Sequence, residues 1–544
     1  MLTRGIRGSY EQAWITLALF LLALLLAREM AGRIVNGDVR FLELSALGGL
    51  GCAAIVAVLR NWRFGFGLFN VWLLFEDFVR KYMGNGPALF FGKDVLALLI
   101  YTALLFSIAR GKEKRFHPPP LLWFPLSIFM WLAAFEIFNP NSPSILYGLL
   151  GFKLNFFYVP MIFVGYALVR NREDLRKFLV GNAALAIFIS GAGILQAIAG
   201  NGYLNPQNPT PDLVDTVNLE KVAPISGQVL SLPNSVFVSP GRFSLYLTLA
   251  AILFIGGAGY LLLSTTKASR KLIFAAIGMI ATATLFSGSR TALIFVGATA
   301  VVMSVGLLWG APWRSRMVHR ILKVIGWSAS IAAIGLSLAV MLYPVEVGSR
   351  VAFYAETLSP FSTASALKYR AVTYPIENLA TAFDDPNWLL GNGLGTASLG
   401  LQYVARLLHS DFAGKWTESG WGELILEMGI LGPLLWVVWS LTLLWCCWRV
   451  ARRMRQTAMF PLAFAIVWFA FILLVPMTFG GTSAYQNYVN NAFLWLLVGI
   501  LFRLPEIAAM PELSADEKRL RHKLLRVWRP ALRGARPLRP QPHL

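Results

Sequence analysis

About fourteen apolar runs, most of them near 20 residues long, follow one another through this chain, at 12–30, 41–59, 64–79, 93–110, 120–138, 152–169, 177–199, 243–263, 271–286, 290–310, 321–342, 421–448, 459–477 and 488–502. A bilayer core of about 30 Å is crossed by a helix of about 20 apolar residues, so each run is long enough to span or nearly so. Only helices and closed barrels satisfy every backbone group in lipid, and runs of this length without alternation select helices. The expected fold is an all-α polytopic membrane protein, with residues 1–502 as one transmembrane domain and 503–544 as a basic tail. Charged residues make up 14% of the chain, against about 25% in soluble domains, which excludes an ordinary soluble globule.

Lys and Arg in short loops mark the cytoplasmic side. With the N-terminus inside, every even-numbered helix ends next to such a cluster: Arg60 and Arg63; Arg110 to Arg115; Arg170 to Lys177; Lys267 to Lys271; Arg314 to Lys323; Arg449 to Arg455. Both termini then lie in the cytoplasm. The 343–420 loop, between helices 11 and 12, and the proline-rich 201–240 loop lie outside.

The net charge of +21 is spread over short loops and the tail, which fits topology and excludes a nucleic-acid module. Cys52, Cys446 and Cys447 sit inside apolar runs without His or Cys at zinc spacing, so neither a metal site nor a disulfide framework is expected. The first run lacks a small-residue cleavage site and reads as an uncleaved helix. The tail spaces Leu520, Leu524, Leu525 and Trp528 among cations. It reads as a topology anchor, or as an amphipathic segment on the anionic inner leaflet.

Chemistry requires polar groups, and these concentrate between Tyr343 and Gly420: Arg350, Lys368, Arg370, His409, Asp411, Lys415 and Glu418. His409, Asp411 and Glu418 stand just before a helix and are the candidate general bases; each also reads as a solvated loop residue. Glu423 and Glu427, four apart, share a helix face. They read as an acid and base pair or as carboxylates suited to a helix N-terminus. Gly391 to Gly395 follows no strand-helix unit and reads as a tight turn rather than a dinucleotide site.

Ser287-Gly288-Ser289 breaks two apolar runs at the outer surface and puts Arg290 at a helix start. There, free amides and the dipole suit an anion. The alternative is a hairpin turn whose arginine snorkels to headgroups. Arg242 likewise enters a helix from outside, and with Lys368 and Arg370 completes a set of cations suited to a diphosphate if they converge. Glu76, Asp77, Lys93 and Asp94, near outer helix ends, read as interfacial ion pairs, and Lys153 stands alone near a helix start.

FSGSRTALIFV, KYRAVTYPIENLATAFDDPNWLLGNGLGTAS and ESGWGELILEMGILG, in this order, resemble the O-antigen polymerase and O-antigen ligase superfamily of bacterial inner-membrane enzymes. The likeness in motifs runs from about Val238 to Gly432 and includes Glu427, Gly429 and Gly432. It implies metal-independent, cofactor-free transfer of a glycan from undecaprenyl diphosphate to a sugar hydroxyl on the periplasmic face. The implied partners are the lipid-linked oligosaccharide, the bilayer and a chain-length regulator protein. The chain departs from the family at Glu418-Ser419, where ligases and many polymerases carry His-Asn, and in this it resembles the exopolysaccharide polymerase branch. A polymerase is therefore the first expectation, a ligase the second, and a lipid-linked sugar flippase the third, although only one clear helix break argues for the last.

Overall fold

In a computed structural model, the described residues are 55–84, 87–206, 219–263, 270–310, 341–362, 369–399, 401–410, 412, 414, 415 and 417–510, with 49, 53, 334 and 337. The run at 12–30, nearly all of that at 321–342, and residues 511–544 lie outside this set, as do Cys52, Lys368 and Asp411. The structure is mostly helical, and eight of its helices are long and apolar enough to cross a membrane among the described residues. The chain divides into two compact units, Met1–Arg115 and Phe116–Leu544.

In the first unit α1 (Trp62–Met83) runs against α2 (Pro87–Ala109). The Asn61 side chain caps α1 by accepting from the Phe64 amide at 3.4 Å. Arg63 donates to both oxygens of Glu113 at 2.6 and 3.0 Å, joining the start of α1 to the segment beyond α2. The expected ion pairing of Glu76 with Lys93 is present at 2.9 Å, and Asp77 pairs with Arg80 at 3.1 Å. These groups are buried. Partnering of this kind is what allows charges to sit at such depth.

The second unit contains α3 (Pro120–Glu136), α4 (Ile145–Phe156), α5 (Met161–Leu168), α6 (Arg172–Ala199), a hairpin of β1 (Glu220–Val222) and β2 (Val229–Ser231), α7 (Pro240–Leu263), α8 (Arg270–Phe286) and α9 (Arg290–Gly310). After α9 come α10 (Pro344–Leu358), α11 (Tyr374–Ala382), α12 (Leu401–Leu407), α13 (Gly420–Met428), α14 (Leu431–Arg453), α15 (Phe460–Ile472) and α16 (Tyr488–Ala509). The hairpin is antiparallel, with Lys221 opposite Leu230. Most of α7 is buried, packed on α8, α9 and α15. Along the α5–α16 crossing, a Cβ at Gly165 would fall on Leu496 O and one at Gly499 on Ile162 O, so small residues let the backbones touch.

Two expected runs are divided. That at 152–169 starts earlier, at Ile145, and is interrupted between Phe156 and Met161, where Pro160 supplies no amide. That at 421–448 separates into α13 and α14 because Gly429 ends α13 at φ 65°, its amide closing on Ile425 O at 2.9 Å.

Hydrogen bonds identify which helix ends lie together. Arg172 meets Ala508 O, Arg270 meets Leu261 O, Arg455 meets Trp309 O, and the Gln456 amide meets Gly310 O. The cationic residues in these contacts come from clusters that hydropathy assigns to the cytoplasmic side. At the opposite end, Arg242 meets Tyr488, and Arg350 spans Ala197 and Phe286. The hairpin, α10 and α13 lie at that second end.

Candidate functional site

Local capping sets Arg290. Gly288 has φ 63°, and a side chain there would strike Leu230 and Leu232 of the hairpin at 2.6 and 2.5 Å. The Ser287 hydroxyl accepts from the Ser289 amide at 3.2 Å, and the Ser289 hydroxyl accepts from the Ala292 amide at 3.2 Å. The break is thus a capped turn whose serines satisfy amides the next helix leaves open. Arg290 follows, half-buried, its guanidinium 5.6 Å from the centre of the Phe353 ring on α10.

A second cation meets that ring. Lys221 of β1 is exposed, and its Nζ lies 5.7 Å from the Phe353 centroid. The hairpin is tied to α10 because the Ile225 and Ser226 amides donate to Glu356 at 2.7 and 3.0 Å. The Ser226 hydroxyl above all, and then these two amides, hold the Glu356 carboxyl below its ordinary value. Two cations, Arg290 and Lys221, therefore approach the one ring of Phe353.

Arg242 meets a different ring. Its guanidinium lies 5.3 Å from the Tyr488 centroid, with Nη1 3.5 Å from the Tyr488 hydroxyl. Arg350, in contrast, is buried and donates to Phe286 O at 3.0 Å, Glu346 O at 2.6 Å, Ser231 O at 3.1 Å and Ala197 O at 3.4 Å. A cation against carbonyls that close two helices neutralises their negative ends, so Arg350 braces the site. Arg370 belongs to a wide turn, Tyr369–Thr373, leading into α11; its side chain lies outside the described set.

Glu418 is positioned by α11. Its amide donates to Asn378 Oδ1 at 3.0 Å, and the Thr417 hydroxyl donates to Asn378 O at 2.9 Å. The Glu418 residue is half-buried, next to a cleft of about 370 Å³ lined by Thr381, Asp384, Asp385, Lys415 and Thr417. Inside the cleft Lys415 Nζ is 2.8 Å from Asp385 Oδ2, while the Asn387 amide and Asn392 side chain donate to Asp385 Oδ1 at 2.9 and 3.2 Å. Burial raises the Asp385 carboxyl, and Lys415 with these amide donors outweighs it, leaving the group below 3.8. His409 is exposed and adopts φ 48°.

The paired glutamates of α13 are both engaged. Glu423 accepts from the Thr482 amide at 2.8 Å and from the Thr482 hydroxyl. Glu427 accepts from the Ala397 amide at 3.0 Å and the Ser398 hydroxyl at 2.7 Å, and Ser398 also accepts from Gln486 at 3.0 Å. They anchor the 391–399 segment and the stretch at Thr482 that precedes α16, so the pair reads as structural. The expected tight turn is present: Gly391, Gly393 and Gly395 have φ 85°, 96° and 84°. Sequence reasoning named Lys415 only among the polar residues of the loop and passed over Lys221, Asp385 and Ser398; the adjacent acids in DDPNW were the signal for Asp385.

No protein-family model and no curated protein matches this chain.

Proposed function

We propose that this chain is an inner-membrane glycan polymerase that moves a growing glycan from undecaprenyl diphosphate to a sugar hydroxyl of another lipid-linked repeat, on the periplasmic face. The observation that carries the reading is the pair Arg290 and Lys221 on the Phe353 ring, at the end of the helices where the Glu418 loop emerges. A diphosphate leaving group needs its charge stabilised as the bond breaks, and an arginine fork and an ammonium can supply this from the protein's own side chains.

Glu418 is the proposed general base. Its carboxylate accepts the acceptor hydroxyl's proton as the oxygen attacks the anomeric carbon; that carbon's bond to the diphosphate oxygen breaks, and the carrier leaves as undecaprenyl diphosphate. The Asn378 contact sets the backbone of Glu418, and the adjoining cleft of about 370 Å³, with carboxylates, an ammonium and hydroxyls, suits a polyol. Arg370, Arg242 and Lys368 are further diphosphate contacts in this reading, with His409 and Asp411 as the other base candidates.

Lipid-linked intermediates in a strain lacking the protein test the proposal. Accumulated single repeat units on the outer face are the expected result. Finished polymer left on the carrier would indicate a ligase, and repeat units trapped on the inner leaflet a flippase.

A further inference from the structure

We propose that the tip of the outer loop, Trp388-Leu389-Leu390, inserts into the outer lipid leaflet, which fixes the Asp385–Lys415 cleft at headgroup level. Leu389 and Leu390 are 55% and 71% exposed. Apolar exposure of this kind on adjacent leucines is out of place in water but ordinary on a lipid-facing surface.

The backbone says what surrounds them. Leu389 O accepts from the Ile430 amide at 3.3 Å, which pins the tip to the first turn of α14. On that membrane helix Leu431 is 52% exposed, and Leu434, Val438 and Leu441 continue the exposed face toward its other end. On the other side, Gly391 O accepts from the Asn139 and Asn141 side chains at 3.2 Å each, and the Leu394 amide donates to Glu136 O at 3.3 Å. The tip is thereby also joined to the end of α3, where Phe135 and Phe138 are each 70% exposed. Exposed apolar side chains on two helix ends thus flank the leucines.

Interfacial chemistry agrees with that depth. Trp388 is exposed beside Phe383, ring centres 5.5 Å apart, and tryptophan favours the headgroup boundary. Asp385 is only four residues from Leu389, a reach of at most about 14 Å even if fully extended. The polar cleft therefore opens where the charged group of a lipid sits, while the chain of that lipid stays in the bilayer. This depth assignment rests on exposure and backbone contacts and does not require that transfer occurs.

The test is a nitroxide at Leu390→Cys in protein carrying Ala at Cys52, Cys446 and Cys447, reconstituted in phosphatidylglycerol and phosphatidylethanolamine vesicles. Collision rates with oxygen, which concentrates in lipid, and with a water-soluble nickel chelate are compared with labels at Leu434→Cys and Asp384→Cys. The oxygen-to-nickel ratio at Leu390 is expected to match Leu434 and exceed Asp384 severalfold. A ratio equal to that at Asp384, or shielding from both reagents as under a protein partner, overturns the proposal. In the native-cysteine chain, benzoylphenylalanine at 390 should gain the mass of one phospholipid on irradiation; a crosslink only to protein, or none, contradicts it. Loss of polymer synthesis with an unchanged ratio would bear on the proposed reaction alone.

Discussion

The Ser398 hydroxyl donates to the buried carboxylate of Glu427 at 2.7 Å, fastening the 391–399 segment to α13. Removing the acceptor strands this hydroxyl and the Ala397 amide, each at a cost of about 1–3 kcal/mol when buried. Glu427→Ala is expected to lower the unfolding temperature in detergent sharply. Glu427→Gln, which keeps an accepting oxygen, should lose far less and retain polymer synthesis. Inactivity of a normally stable Glu427→Gln would instead make Glu427 an acid or base.

Gly395 faces α4 so closely that a Cβ would fall on Tyr147 O, and its φ of 84° disfavours a side chain independently of space. Left-handed strain of about 1 kcal/mol or more adds to the backbone clash. Gly395→Ala should yield little monodisperse protein, whereas Gly480→Ala, with nothing within 4 Å of its Cβ, should behave as the parent. Equal yields of the two variants would show that the 391–395 turn is not wedged against α4.

Asp385 gives a pH dependence of defined sign. Its folded carboxyl lies below the ordinary 3.8, so its contribution to stability is present above 3.8 and is lost as pH falls through the folded value. The unfolding-temperature gap between the parent and Asp385→Asn should stay constant over about pH 5 to 7 and close below the ordinary carboxylate value. A gap that widens on acidification would mean the folded carboxyl is raised instead.

Arg290 distinguishes a phosphate clamp from a membrane anchor. An anchor needs only a cation on a long stem, so Lys would replace it. A clamp needs the planar fork: Lys should keep part of the activity, and Ala should lose about a hundredfold, or about 3 kcal/mol in the barrier. Arg370→Ala is expected to resemble Arg290→Ala. Lys221→Ala should weaken synthesis less, because an exposed ammonium contributes as a point charge. Full activity in Arg290→Lys removes the clamp.

Apolar runs located spans such as Pro240–Leu263 and Arg290–Gly310, and basic clusters marked the helix ends that Arg172, Arg270 and Arg455 join in space. The glycine turn at 391–395 and the helix start at Arg290 were also legible, because each depends on neighbours along the chain. Lys221 beside Arg290 was not, since only the packing of α10 under a hairpin brings them to one ring. The same holds for Arg350, whose four carbonyl partners come from four separate segments. Helix-terminal electrostatics accounts for Glu423 near the start of α13, but its bond to Thr482 depends on how α13 meets the segment before α16.

The central claim, glycan transfer between lipid carriers, is tested most directly by incubating the purified protein with lipid-linked repeat units in the presence of EDTA and resolving the products by length. The account predicts a ladder of longer glycans, undecaprenyl diphosphate released once per added unit, and loss of both in Glu418→Gln at equal monodispersity. Repeat units that remain single with the monodisperse parent protein, or a full ladder from Glu418→Gln, would contradict respectively the transfer reaction and the base assigned to it.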